Sequence, residues 1–149
     1  MTDRPADRHV RPDGTDDVTV EALGKLGEAF EVVEEARGHL YAFHRRCGEA
    51  DLKLGEAVGL LREAGHGDLA DRIEVDLIGR NIIEGRWSFQ VVEEYDAGYY
   101  ASFQEHEQIA RDLLVDGKPH LFEAEMKEDR RTHGRRHHEA TPESESEQS

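Results

Sequence analysis

The sequence contains a single cysteine and no long apolar run. Cys47 is the only cysteine in 149 residues, which excludes an internal disulfide and a zinc site built from cysteines. No apolar stretch approaches the roughly 20 residues that a membrane-spanning helix needs. The polar N-terminal residues hold no apolar segment of the kind found in signal peptides. These absences predict a cytoplasmic protein without a membrane segment.

Basic residues are also in short supply. Lys and Arg total 19 against 34 Asp and Glu, so the formal net charge is −15. Between residues 18 and 117 there are 21 acidic and 10 basic side chains. A surface of this sign repels a phosphate backbone, which argues against nucleic acid as the main partner. The basic segment 130–138 is the exception; we interpret it as a solvated tail, with contact to an acidic surface or RNA as the alternative.

Residues that carry hydrolytic chemistry are scarce. In the helical region the serines and threonines are Thr19, Ser88 and Ser102, and none lies in a Gly-x-Ser-x-Gly turn. No glycine-rich phosphate loop is present. The sequence therefore gives no support for an enzyme, identifies no catalytic residue and implies no cofactor.

The spacing of apolar residues is helical between the two ends of the chain. It predicts an all-α fold, an antiparallel four-helix bundle with two long and two short helices plus a short C-terminal helix. Breaks at glycines place the helices at residues 17–46, 49–64, 68–84 and 88–115, with the last after Pro119. We expect residues 18–131 to form this bundle domain. The polar residues 1–17 and 132–149 are predicted to be a disordered arm and a disordered tail.

The two long helices are predicted to outreach the short pair, which leaves part of their apolar seams uncovered. These residues are the predicted interface: Leu23, Leu26, Phe30, Ile109 and Leu113. Either the last helix, through Leu121, Phe122 and Met126, or a second copy of the chain could cover them. The leading interpretation is a protein-interaction or assembly module that associates with itself or with another protein.

A second feature is a set of polar and aromatic residues on the apolar seams. Antiparallel packing places Arg37 and Asp96 at the same height, and a buried ion pair that fixes helix register is the preferred interpretation. The alternative is a pocket for a small anion, gripped by Arg37 and Arg80. The full predicted ligand set is Arg37, His44, Arg80, Asn81, Trp87, Glu93, Asp96 and Tyr99.

Metal binding is the weakest of the alternatives. A di-metal bundle requires a Glu-x-x-His motif on each of two helices, and this sequence has one, from Glu63 to His66, at a helix end. His44 and His106 could act as isolated ligands beside carboxylates. No metal site is predicted from this pattern.

Three segments carry a resemblance to known sequences: EEARGHLYAFHRRCGEADLKLGEAV, IEGRWSFQVVEEYDAGYY and FEAEMKEDRRTHGR. They resemble a group of small uncharacterised acidic helical proteins of GC-rich bacteria. The resemblance covers residues 18–135 and excludes both ends. It implies no activity, substrate or cofactor.

Overall fold

The computed structural model describes residues 3–141, and all of its regular secondary structure is helical. No β-strand occurs among these residues, which confirms the predicted all-α class. A turn of 3-10 helix at Asp7–His9 comes first, and a π-helical turn at Asp96–Tyr100 joins two of the α-helices. The α-helices are α1 (Asp17–Glu63), α2 (Gly67–Asp76), α3 (Ser88–Tyr95), α4 (Ala101–Val115) and α5 (Leu121–Arg130).

Helix α1 is one continuous helix of 47 residues, so the predicted break at Gly48 is wrong. Glycine lowers helix propensity by about 1 kcal/mol relative to alanine, but it does not forbid the conformation. A glycine ends a helix where the chain needs a positive φ, and Gly65 provides this with φ +86°. The His66 N–H donates to the carbonyl of Leu61 at 2.8 Å and closes the helix end. The two helices predicted before Gly65 are therefore a single long one.

Helix α2 is shorter than predicted because the chain turns before its isoleucine pair. It ends at Asp76, and Gly79 takes φ +71° while its N–H donates to the Asp51 carboxylate at 2.9 Å. Ile82 and Ile83, predicted to continue the helix, lie instead in a turn. The Arg86 N–H donates to the Ile83 carbonyl at 2.9 Å in this turn.

The chain forms two compact units, the first made of residues up to Val32 together with those from Ser102 onward. Its core contains Val20, Val115 and Leu121, with Leu23 packed against them. Helix α5 approaches α1 closely at Gly24, where an added Cβ would lie 2.7 Å from the Cβ of Phe122. The glycine is thus required for this packing.

The second unit comprises Val33–Ala101. The end of α1 and α2 form a helical hairpin in which Arg62 bridges Asp71 and Glu74. Buried apolar side chains are few in this unit: Val33, Val58, Ala70 and Val92. We call the end of α1 and α2, residues 47–79, the α1–α2 hairpin.

The first unit also holds residues that the sequence assigns to a disordered arm and tail. The Arg131 side chain is 0% exposed, and its Nη1 donates to the Asp3 carboxylate at 2.8 and 2.9 Å. Its Nε donates to Glu128 at 2.6 Å, and Arg11 pairs with Glu125 at 2.7 Å. The arm is therefore placed against α5 by ion pairs. Residues 1–2 and 142–149 of the predicted arm and tail lie outside the described residues.

The Asp3 contact gives a pH prediction. Donation from Arg131 and from the amides of Ala140 and Gly134 lowers the pKa of Asp3 from 3.8 to about 2. A carboxylate with a lowered pKa stabilises the folded form above its ordinary pKa and loses that contribution as pH falls through the lowered value. We expect the amide signals of Gly134 and Ala140 to shift as pH is lowered from 3.8 through about 2, as measured by NMR.

An Asp3→Asn variant serves as the control, because it removes the charge at every pH. Its Gly134 and Ala140 signals should differ from wild type at neutral pH and show no transition of this kind in acid. A wild-type transition that survives unchanged in the variant would contradict the assignment to Asp3.

Candidate functional site

The centre of the predicted polar cluster is an ion pair in the second unit. Arg37 of α1 donates to Asp96 through Nε, at 2.7 Å, and through Nη2, at 3.1 Å. Both side chains are about one-third exposed, at 32% and 28%. These charge-assisted donors lower the pKa of Asp96 below its ordinary value. The carboxylate is thereby held ionised by its partner.

Aromatic side chains complete the surroundings of Arg37. Its guanidinium carbon lies 5.0 Å from the centre of the Tyr41 ring and 4.7 Å from that of Tyr100, within the range of cation–π attraction. The Tyr100 hydroxyl donates to the Glu34 carboxylate, and this hydrogen bond raises the pKa of Tyr100. The Arg37 guanidinium thus contacts one carboxylate and two tyrosine rings.

The π-helical turn Asp96–Tyr100 supplies two of these groups. Such single turns are frequent at functional sites, and here the turn lies where the helical stretch from Ser88 to Val115 meets Arg37. Asp96 engages two of the three guanidinium nitrogens of Arg37, Nε and Nη2. The arrangement is suited to fixing the register of two helix segments.

The other residues of the predicted ligand set make local contacts of their own. His44 Nδ1 lies 2.7 Å from the Ser88 hydroxyl, and Arg80 pairs with Asp76 at 3.8 Å. Trp87 packs against Phe89, with ring centres 5.3 Å apart. Asn81, Glu93 and Tyr99 are exposed, and the Tyr99 ring packs on Tyr95. The structure therefore distributes the set over several local groups.

The predicted interface in the first unit is partly covered from within the chain. Leu23 packs on the core that contains Leu121 of α5, and the Phe30 ring stacks on Phe103 with centres 6.0 Å apart. Leu26 is half-buried. Ile109 and Leu113 on α4 remain exposed. Of the α1 residues, Leu23 is thus covered by the core that includes α5 and Phe30 by Phe103 of α4, whereas Ile109 and Leu113 stay open.

More large apolar side chains are exposed on the α1–α2 hairpin, and the sequence did not reveal this. The hairpin buries Val58 and Ala70. Its exposed large apolar side chains, which we call the hairpin surface, are Leu52, Leu60, Leu69, Val75 and Leu77. The bundle predicted for a single chain would cover the apolar side chains of residues 49–64 and 68–84 with the chain's own helices. The available signal was the density of apolar residues in 47–79, a segment that holds only the last part of α1 and α2.

The hairpin is also acidic. Residues 47–79 contain eight Asp and Glu and three Lys and Arg, a net charge of −5. A partner that covers the hairpin surface therefore lies close to acidic side chains of the hairpin.

The remaining tests for a site concern metals and membranes. Among residues 3–141, no group of three or more His, Cys, Asp or Glu side chains could hold a metal ion. In the same part of the chain, no helix combines the length and the apolar character needed to span a bilayer.

No protein-family model, curated protein or solved structure matches this chain.

Proposed function

We propose that this chain is a cytoplasmic assembly module in which two copies associate through the hairpin surface. The observation that carries the proposal is the ratio of exposed to buried apolar side chains on the hairpin. Five large apolar side chains are exposed there, whereas Val58 and Ala70 are buried. Two helices of this length cannot cover their own apolar residues, and a second layer of helices is the usual solution.

A second copy of the chain fits this surface for a geometric reason. Two α1–α2 hairpins supply four helix segments, the last part of α1 and the whole of α2 from each chain, which is the number of helices in a bundle. We infer that the antiparallel four-helix bundle predicted for a single chain is completed by two chains. Gly55 and Gly59 follow Leu52 at spacings of three and four, so the three share one side of α1. An added Cβ at either glycine meets no atom within 4 Å, so a partner helix could approach closely there.

The alternative from the sequence, an anion-binding protein or enzyme, depends on Arg37. Its guanidinium is held by Asp96 and two tyrosine rings, which favours a structural role for this ion pair. The five side chains of the hairpin surface stay exposed within residues 3–141. Self-association is therefore the function with the stronger support.

The mass of untagged protein in solution tests the proposal. Sedimentation equilibrium should give twice 16.9 kDa at micromolar concentration. Because both hairpins carry −5, screening of their repulsion should strengthen the dimer as salt is raised. A monomer at every concentration and salt would overturn the proposal.

A further inference from the structure

The first unit contains a cavity of about 160 Å³ between α1, α4 and α5. Apolar side chains form much of its wall: Leu23, Phe30, Leu121 and Phe122. A cavity of about 150 Å³ with an apolar lining is large enough to hold one benzene ring. The volume of the cavity thus fits a small ligand with a single ring or a short alkyl chain.

Gly27 explains why this space is open. It lies one turn after Gly24 on α1, and both glycines line the cavity. At Gly24 an added Cβ would collide with Phe122, whereas at Gly27 it would meet no atom within 4 Å. A side chain at Gly27 would therefore enter space that the fold leaves unfilled.

Some charged side chains that line the cavity are bound by other groups of the protein, and others are not. Arg111 donates to Glu107 at 2.8 and 3.2 Å and to the Gly117 carbonyl at 2.9 Å. The Lys118 ammonium donates to the Val10 carbonyl at 2.9 Å. Both lining cations are thus held by acceptors of the protein.

Two lining carboxylates are not held in this way. Within residues 3–141, the side chains of Glu31 and Glu123 form no ion pair or hydrogen bond. The rings of Phe30 and Phe122 line the same cavity, and aromatic faces attract cations. Unpaired carboxylates beside aromatic rings favour a positively charged ligand over an anion.

We propose that this cavity binds a small organic cation, an ammonium group carried on one ring or a short alkyl chain. The apolar part of the ligand fills the space beside Gly27, and its ammonium group faces Glu31 and Glu123. This site lies in the first unit and does not depend on the self-association proposed for the hairpin surface.

Binding of three probes of similar size tests the proposal: benzylamine, benzyl alcohol and benzoate. In NMR titrations of the labelled full-length protein, benzylamine should bind at least about tenfold more tightly than benzyl alcohol, since charge-assisted hydrogen bonds are the stronger kind. Benzoate should bind least. The absence of binding by benzylamine at millimolar concentration, or equal binding of benzoate, would overturn the proposal.

Two variants locate the site. Gly27→Leu fills the cavity and should abolish benzylamine binding, whereas Gly38→Leu, on the same helix and outside the cavity, should leave it unchanged. The double variant Glu31→Gln with Glu123→Gln should weaken benzylamine by about tenfold and leave benzyl alcohol unaffected. Undiminished benzylamine binding by Gly27→Leu would show that the ligand binds elsewhere and reject this site.

Discussion

Replacing Leu52 and Leu60 together by glutamate is expected to convert the proposed dimer into monomers. The two leucines are 75% and 64% exposed in the single chain, so the change removes little from its internal packing. In the proposed dimer, the double change would place four carboxylates in an apolar contact that already carries −5 per chain. Burying an unpaired charge is costly, and we expect the dissociation constant to rise at least about 100-fold. Sedimentation equilibrium measures this change.

Helix α1 offers a closely matched control. Val18 and Val32 are 72% and 61% exposed, and they lie on the same helix but outside the hairpin. Changing both to glutamate adds the same charge to the same element. This control should leave the dissociation constant within a few-fold of wild type, and circular dichroism should show full helicity. Equal dissociation of the two double variants would mean that net charge, and not the hairpin surface, governs assembly.

Gly24→Ala is expected to destabilise the first unit, although alanine is the better helix former. The new methyl group would lie 2.7 Å from the Cβ and Cγ of Phe122, so α5 must move away from α1. Overpacking of this kind costs about 1–3 kcal/mol. Displacement of α5 would also disturb Leu121, which is buried in the core of this unit. Chemical denaturation followed by circular dichroism gives the free energy of unfolding.

The matched change at Gly38 should have the opposite sign. Gly38 lies within α1, and a Cβ added there meets no atom within 4 Å. Gly38→Ala should therefore raise the free energy of unfolding by about 0.5–1 kcal/mol through helix propensity alone. If Gly24→Ala were as stabilising as Gly38→Ala, the close approach of α5 to α1 would be refuted.

The helical class and the contact between Arg37 and Asp96 could be anticipated from residue spacing. The class follows from short-range periodicity, and the contact follows from placing the two helices that carry these residues antiparallel. The helix from Ser88 to Val115 also follows from its apolar pattern, although the π-helical turn within it does not. A π-helical turn has one residue more than an α-helical turn, and the residue composition of the segment does not predict it.

Other features depend on information that lies outside any short window. Gly48 and Gly65 look alike in sequence, and only Gly65 adopts the positive φ that ends α1. The polar arm reads as disordered because it has almost no apolar residues. Its position depends on Arg131, more than one hundred residues away, which the sequence pattern assigned to a solvated basic segment. Charge pairing over such distances has no periodic signal.

The contact between Arg131 and Asp3 has a consequence for the chain as a polymer. It joins residues 128 positions apart, and the amide of Ala140 reaches the same carboxylate. A disulfide over so long a loop would restrict the unfolded chain as well, whereas this ion pair breaks on unfolding, so the entropy lost on closing the loop is a cost of the folded state that the contact offsets. With Cys47 as its only cysteine, the chain cannot form such a covalent link within itself. The buried guanidinium of Arg131 thus links two distant parts of the chain reversibly, and this link forms and breaks without oxidation or reduction.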